Sequence, residues 1–276
     1  MPDTKQKILG AVAAVGAGLL ASQASAQTIN DKFWIQGTGF LANVDTDARI
    51  ASAANPDSGT QIDLEDDLGL DDSALLPAIY AGAKLGGGFV VTAEYYSLGR
   101  DSTGTIARNI TIDDVTYPVN GSVTAGFDTD IYRLTVGYTF VRNETFELGA
   151  AIGLHATELE FSISGQGSAG GAPVSSQVRR KDVLAPMPTL GLYTTFEPMP
   201  RVTINARVDY LSLGIDDYDG SLLNAQASVS YRLMDNVGVG VGYRYVDYDL
   251  DVTKPSVVGS FDYNFWGPSF FIEVGF

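Results

Sequence analysis

Residues 131–141 read IYRLTVGYTFV. Taken two at a time, Tyr132, Leu134, Val136, Tyr138 and Phe140 fall on one side, and Arg133, Thr135, Gly137 and Thr139 on the other. A period of two marks an extended strand with one apolar face. The pattern returns in LLNAQASVSYRL (222–233), where Leu223, Ala225, Ala227, Val229, Tyr231 and Leu233 alternate with Asn224, Gln226, Ser228, Ser230 and Arg232. VTINARVDY (202–210) repeats it, and GPSFFIEVGF (267–276) sets Phe270, Ile272, Val274 and Phe276 on one face.

Alternation fixes strands but not their solvent, because a water-soluble sandwich and a membrane barrel both alternate, with opposite faces buried. Three features favour the barrel. Aromatic residues gather near strand ends, at Tyr95, Tyr96, Tyr132, Tyr138, Phe140, Tyr231, Tyr243, Tyr245 and Phe276, as interfacial girdles require. Connections alternate between short and long. The last residues form an aromatic strand, where soluble proteins usually fray in polar residues.

The pattern predicts strands near 32–45, 73–85, from 88, up to 141, 145–162, 180–196, 202–215, 221–233, 236–250 and up to Phe276. Tight turns fall at Gly86–Gly88, Arg142–Thr145, Glu197–Arg201 and Met234–Asn236, all rich in Gly, Pro, Asn or Asp. Longer connections fall at 46–72, around Asp113 and Asp114, at 165–177, at 216–220 and at 251–260. This rhythm predicts an all-β, single antiparallel up-and-down barrel of about ten strands, with eight as the alternative. An even count places both chain ends on the short-turn side.

MPDTKQK followed by ILGAVAAVGAGLL and a small-residue site at Ala24, Ser25 and Ala26 reads as a secretory signal peptide over residues 1–26. The apolar run is too short to span a bilayer as a helix. Residues 27–276 then form the barrel domain, about 250 residues. The chain has no Cys, so it is not a disulfide scaffold, and its net charge of −16 argues against nucleic acid as a partner.

Leader, amphipathic strands, turn rhythm and the ending FFIEVGF together resemble a bacterial outer-membrane β-barrel of the small OmpA-like and porin-like kind. The resemblance implies an integral protein of the outer membrane of a Gram-negative bacterium, exported through the periplasm. It also implies contact with outer-membrane lipid and lipopolysaccharide. Phe270, Ile272, Val274 and Phe276 would be the signal read by the barrel-assembly machinery. No cofactor and no activity follow from the fold, and the oligomeric state stays open.

In a barrel, strand parity turns Lys84, Glu94, Arg133, Glu147, Arg207, Asp209, Arg232, Arg244 and Glu273 toward the lumen. Opposed charges in a narrow lumen pair and plug it; in a wider one they line water and set ion selectivity. The expected role is therefore a structural or surface-interaction barrel with an ion-paired lumen, the alternative a small porin-like diffusion channel. A third reading, an outer-membrane hydrolase, rests on His155 alone, the chain's single histidine, with Thr157 nearby and no matching catalytic pattern. DLEDDLGLDD brings Asp63, Glu65, Asp66, Asp67, Asp71 and Asp72 into the first long loop. They offer weak Ca²⁺ or Mg²⁺ ligands, without the spacing of a calcium loop, and a solvated loop is the plainer reading. RNITIDDVTYPV (108–119) alternates and predicts a hairpin extending beyond the membrane.

Overall fold

The structure, a computed structural model, describes residues 28–56, 59–112, 115–169, 171–183, 187–215, 218–255 and 257–276. The signal peptide expected at 1–26, and Asp113 and Asp114, lie outside these residues. A single 3-10 turn, Thr28–Asn30, precedes β1 (Phe33–Ser52), β2 (Gln61–Asp63), β3 (Ser73–Gly86), β4 (Phe89–Thr105), β5 (Ile110–Ile112), β6 (Val115–Tyr117), β7 (Ser122–Arg142) and β8 (Phe146–Ala169). There follow β9 (Ala172–Val183), β10 (Met187–Met199), β11 (Val202–Ile215), β12 (Tyr218–Arg232), β13 (Val237–Thr253) and β14 (Val257–Gly275).

The strands close on themselves. The ring runs β1, β3, β4, β7, β8, β10, β11, β12, β13, β14 and back to β1, every neighbour antiparallel. Closure is made by β1 and β14, paired from Trp34 and Gly275 to Ser52 and Val257. Phe276 N–H donates to Phe33 O at 2.8 Å, and Phe33 N–H returns a bond of 3.1 Å to Phe276 O. Tight turns join the strands at one end, such as the three positive-φ glycines Gly86, Gly87 and Gly88; longer connections occupy the other.

Two of those long connections differ from expectation. Residues 165–177, expected as a loop, continue the β8–β9 ladder from Glu158 and Val183 out to Ala169 and Ala172. The hairpin of β5 and β6 does not project: its Thr116 pairs with Ser168 of β8, and Thr60 N–H donates to Thr111 O at 3.0 Å, so it lies across the barrel mouth. The reason is its apolar residues: Ile110, Ile112 and Tyr117 are fully buried there.

The two faces of each strand have the solvent preference of a membrane protein. Along β7, Tyr132, Leu134, Val136, Tyr138 and Phe140 are 44–52% exposed, whereas Arg133, Thr135 and Thr139 are 9% or less. Buried polar and exposed apolar side chains are the reverse of a soluble sheet. The apolar belt has a sharp upper limit. Past Tyr132 the outward residues become Asp130 and Asp128, and past Tyr245 they become Asp247, Asp249 and Asp251. Tyr95, Tyr132, Tyr210 and Tyr245 mark that limit, the place of an interfacial girdle. Tyr96 is a correction: next to Tyr95 it must face the other way, and it is 1% exposed inside the lumen.

The β3–β4 ladder runs from Gly86 and Phe89 only to Ala78 and Tyr96. Above it, among the described residues, no rung joins 73–77 to 97–101, although β4 continues to Thr105. Pro77 has no N–H to offer there. The turn after β2 takes over: Ser102 Oγ donates to Leu68 O at 2.6 Å, and Arg100 donates to Asp71 O at 3.0 Å.

Depth in the belt should decide the cost of a charge. Val136→Arg is expected to destabilise the vesicle-folded barrel by about 2–4 kcal/mol, and Asp249→Arg, above the girdle, by less than about 0.5 kcal/mol, both read from urea unfolding midpoints.

Candidate functional site

The lumen is built in layers, starting from the short-turn end. There the turn Thr28–Asn30 enters the barrel and buries Ile29. Ile29 N–H donates to Glu197 Oε1 at 2.8 Å, and Ile29 O accepts from Lys84 Nζ at 2.6 Å. Lys84 also donates to both Glu147 oxygens at 3.0 Å, and Arg232 pairs with Asp31. These contacts form a floor.

Above the floor is a cavity of about 180 Å³. It stays open because aromatic rings lie flat on bare wall. A Cβ on Gly82 would stand 2.1 Å from the Trp34 ring, and one on Gly240 would stand 2.3 Å from the Phe271 ring. With glycine opposite, each ring presses against the sheet rather than across the lumen.

The next layer is ionic and crosses the barrel. Arg244 donates to Glu94 at 2.7 Å, Arg133 to Glu94 at 2.5 Å, Arg133 to Asp209 at 2.5 Å, and Arg207 to Asp209 at 2.7 Å. Five charges from β13, β4, β7 and β11 thus alternate in sign, each carboxylate shared by two guanidinium groups. All are nearly buried, which is tolerable only because each has opposite-charge partners and further hydrogen bonds. Arg244 also donates to Asn224 Oδ1 at 3.3 Å and stacks over the Tyr96 ring at 4.6 Å.

Beyond the ionic layer the lumen turns apolar. Phe127, Tyr248, Phe261, Tyr263 and Phe265 pack ring on ring, with centroids 5.0–6.2 Å apart. Leu64, Leu68 and Leu70 from the first long connection and Ile110 and Ile112 from the hairpin cover them. This half of the barrel has a core like that of a soluble protein. The expectation of a lumen filled by ion pairs is therefore incomplete: outward residues here meet water, so the apolar face turns in.

The inward residues named from parity separate into three groups. Glu94, Arg133, Arg207, Asp209 and Arg244 meet in the cross-lumen chain, and Lys84, Glu147 and Arg232 belong to the floor. Glu273 joins neither; among the described residues its carboxylate has no hydrogen bond or ion pair. Parity does not find Asp31 or Glu197. Asp31 precedes the first strand, where parity has no meaning, while Glu197 falls in an expected turn although it continues the inward parity of Tyr193 and Thr195.

Compared with solved structures, the chain is similar to the outer membrane protease OmpT from Escherichia coli, with a TM-score of 0.55 at 13% identity over 91% of this chain and 100% of that one. The fold is that of an outer-membrane β-barrel. Also similar, more loosely, are the Yersinia pestis attachment invasion locus protein Ail (TM-score 0.33, 10% identity, 87% of this chain, 99% of that one) and the Pseudomonas putida toluene transporter TodX (0.36, 9%, 90% of each). No family model matches the chain, and no curated protein does. At such identities the likeness shows the barrel and nothing of its activity.

Within the barrel, His155 is 3% exposed, with Nε2 3.1 Å from Thr157 Oγ1 and its ring stacked on Tyr248. Its Nδ1 has no hydrogen-bond partner among the described residues, so no carboxylate orients it as a general base would require. The acidic loop of the barrel does not gather its carboxylates; among the described residues no three converge as metal ligands. Glu65 pairs with Arg100 and accepts Thr46 N–H at 2.9 Å, Asp67 pairs with Arg108, and Asp63 accepts Asp66 N–H at 2.7 Å. Asp71 and Asp72 contribute backbone oxygens to Arg100 and Val44. These residues tie the lid down. Phe270 and Ile272 are exposed on the belt, and Val274 and Phe276 continue that row.

Glu94→Ala leaves two buried guanidinium groups short of a partner and is expected to cost about 3–5 kcal/mol, measured by urea unfolding in vesicles. In the lid, the hydrogen bond from Arg108 holds the Asp67 carboxyl below its ordinary value. The contact is then complete at neutral pH and lost as pH falls through that depressed value. Arg108→Ala should move the Asp67 titration upward, as followed by carboxyl NMR.

Proposed function

We propose that residues 27–276 form an integral outer-membrane barrel with a closed lumen, whose working surface is its long-loop end. The single observation that carries this reading is the succession of floor, ionic chain and apolar stack, three sets of side chains that follow one another along the lumen among the described residues. A porin-like channel needs a continuous wet path. Residues 1–26 serve as the export signal. The short turns face the periplasm and the long connections the cell exterior, as is general for bacterial barrels of this kind. The outward row at Phe270, Ile272, Val274 and Phe276 is available to the barrel-assembly machinery before β14 closes on β1.

The surface role is supported by the collar just above the aromatic girdle. On adjacent strands Asp47 is paired in register with Asp262, and Asp262 with Asp249. Like charges directly opposite destabilise a sheet, and burial together with Asp249 and Asp47 raises the Asp262 carboxyl above its ordinary value. A collar retained at that cost suits the headgroup layer, where divalent cations bridge lipopolysaccharide phosphates. The hydrolase reading has no support from His155, which is buried beneath the apolar stack without an orienting acid.

Planar-bilayer conductance of the refolded protein tests the closed lumen. Silence is expected from the unmutated chain and also from Glu94→Ala, Asp209→Ala, because the apolar stack remains when the ionic chain is cut. Stable unitary steps in the unmutated chain would replace this reading with a channel.

A further inference from the structure

Glu273 is the lumen carboxylate that makes no hydrogen bond or ion pair among the described residues. It is 8% exposed and borders the cavity above the floor. Its register partners are Gln36 on β1 and Gly238 on β13. Gln36 turns its amide to Thr38, donating at 3.0 Å, and Gly238 has no side chain. The cations around the cavity are already engaged: Lys84 by Glu147, Arg232 by Asp31, Arg207 by Asp209 and Arg244 by Glu94. Arg232 attracts the Glu273 carboxylate across the Gly238 row but makes its ion pair with Asp31. A buried carboxylate with no hydrogen-bonded partner of its own is costly, and a cavity beside it gives room for one.

The walls indicate the chemistry of that partner. Trp34, Phe40, Tyr80 and Phe271 border the same cavity. Aromatic faces beside a carboxylate attract an organic cation through the ring quadrupole. A bare divalent ion needs six or more oxygen ligands, several of them carboxylate, and among the described residues no three His, Asp or Glu side chains converge to hold one. At roughly 10–15 Å³ of such space per water, the cavity holds about a dozen waters, room for one ring and a short amine arm. We propose that it is a binding site for a small organic ammonium, with the cationic head at Glu273 and the apolar body against Trp34 and Phe271. This goes beyond the closed-lumen reading and needs neither a surface partner nor a conducting path.

The test uses phenethylamine as probe, with 2-phenylethanol as its neutral counterpart, on the full barrel refolded in detergent. Trp34 emission is read in a Trp266→Phe background, and each probe is present during refolding as well as added later, so that slow entry cannot hide binding. Phenethylamine should shift the emission saturably, and the alcohol should bind at least about tenfold more weakly, the value of a charge-assisted hydrogen bond. Glu273→Gln, nearly isosteric, should lose the same factor. Gly240→Ala, which drives the Phe271 ring into the cavity, should weaken amine and alcohol together. Equal affinity for amine and alcohol, no effect of Glu273→Gln in folded protein, or saturation by K⁺ or Ca²⁺ instead of the amine would each overturn the assignment.

Discussion

A strand facing hydrocarbon has no water to satisfy its backbone, so every N–H and C=O in the belt must find a partner in the sheet. The ladder between β1 and β14 meets that demand by joining the first strand to the last, and the other layers depend on it. Once the ring is closed, period-two geometry sends alternate residues to a lumen that lipid does not reach. What occupies that lumen is then decided level by level. Where the outside is lipid, the sequence has placed its polar residues inside. Where the outside is water, the apolar residues return to the interior.

The ionic chain lies at the level where these two regimes meet. Tyr132 stands outside Arg133, Tyr245 follows Arg244, Tyr95 follows Glu94, and Tyr210 follows Asp209. A girdle residue on the outer face thus neighbours a charge on the inner face on each of four strands. Each charge would be prohibitive alone, and sharing Glu94 and Asp209 among three arginines makes the layer one unit rather than separate pairs. Such a unit links strands that do not touch in the ring, bracing the barrel across its width.

Much of this was legible in the sequence, because parity is a local property. Alternation in residues 131–141 was enough to turn Arg133 inward and Tyr132 outward, and the same reading placed Arg207, Asp209, Arg232 and Arg244. Partners were not legible. Arg133 meets Glu94 and Asp209 across 39 and 76 residues, and Arg244 meets Glu94 across 150, distances set by ring order rather than by any motif. The apolar upper lumen was hidden for another reason: parity says which residues share a face, but not where along the strand the outer solvent changes. Phe261, Tyr263 and Phe265 in one inward row, with Asp262 and Asn264 between them, held that signal. The hairpin at 108–119 had the right strands but the wrong direction, since its isoleucines gain by covering the stack.

The interrupted ladder between β3 and β4 has a mechanical meaning. A ring with even pairing resists squeezing equally in all directions, since bending is shared among its rungs. Here the wall above Ala78 and Tyr96 is joined by side chains of Arg100 and Ser102 to a turn, not by backbone rungs. Such a joint yields before a ladder does. The barrel therefore has a soft azimuth at its long-loop end, and a load on the mouth would be felt first along that line.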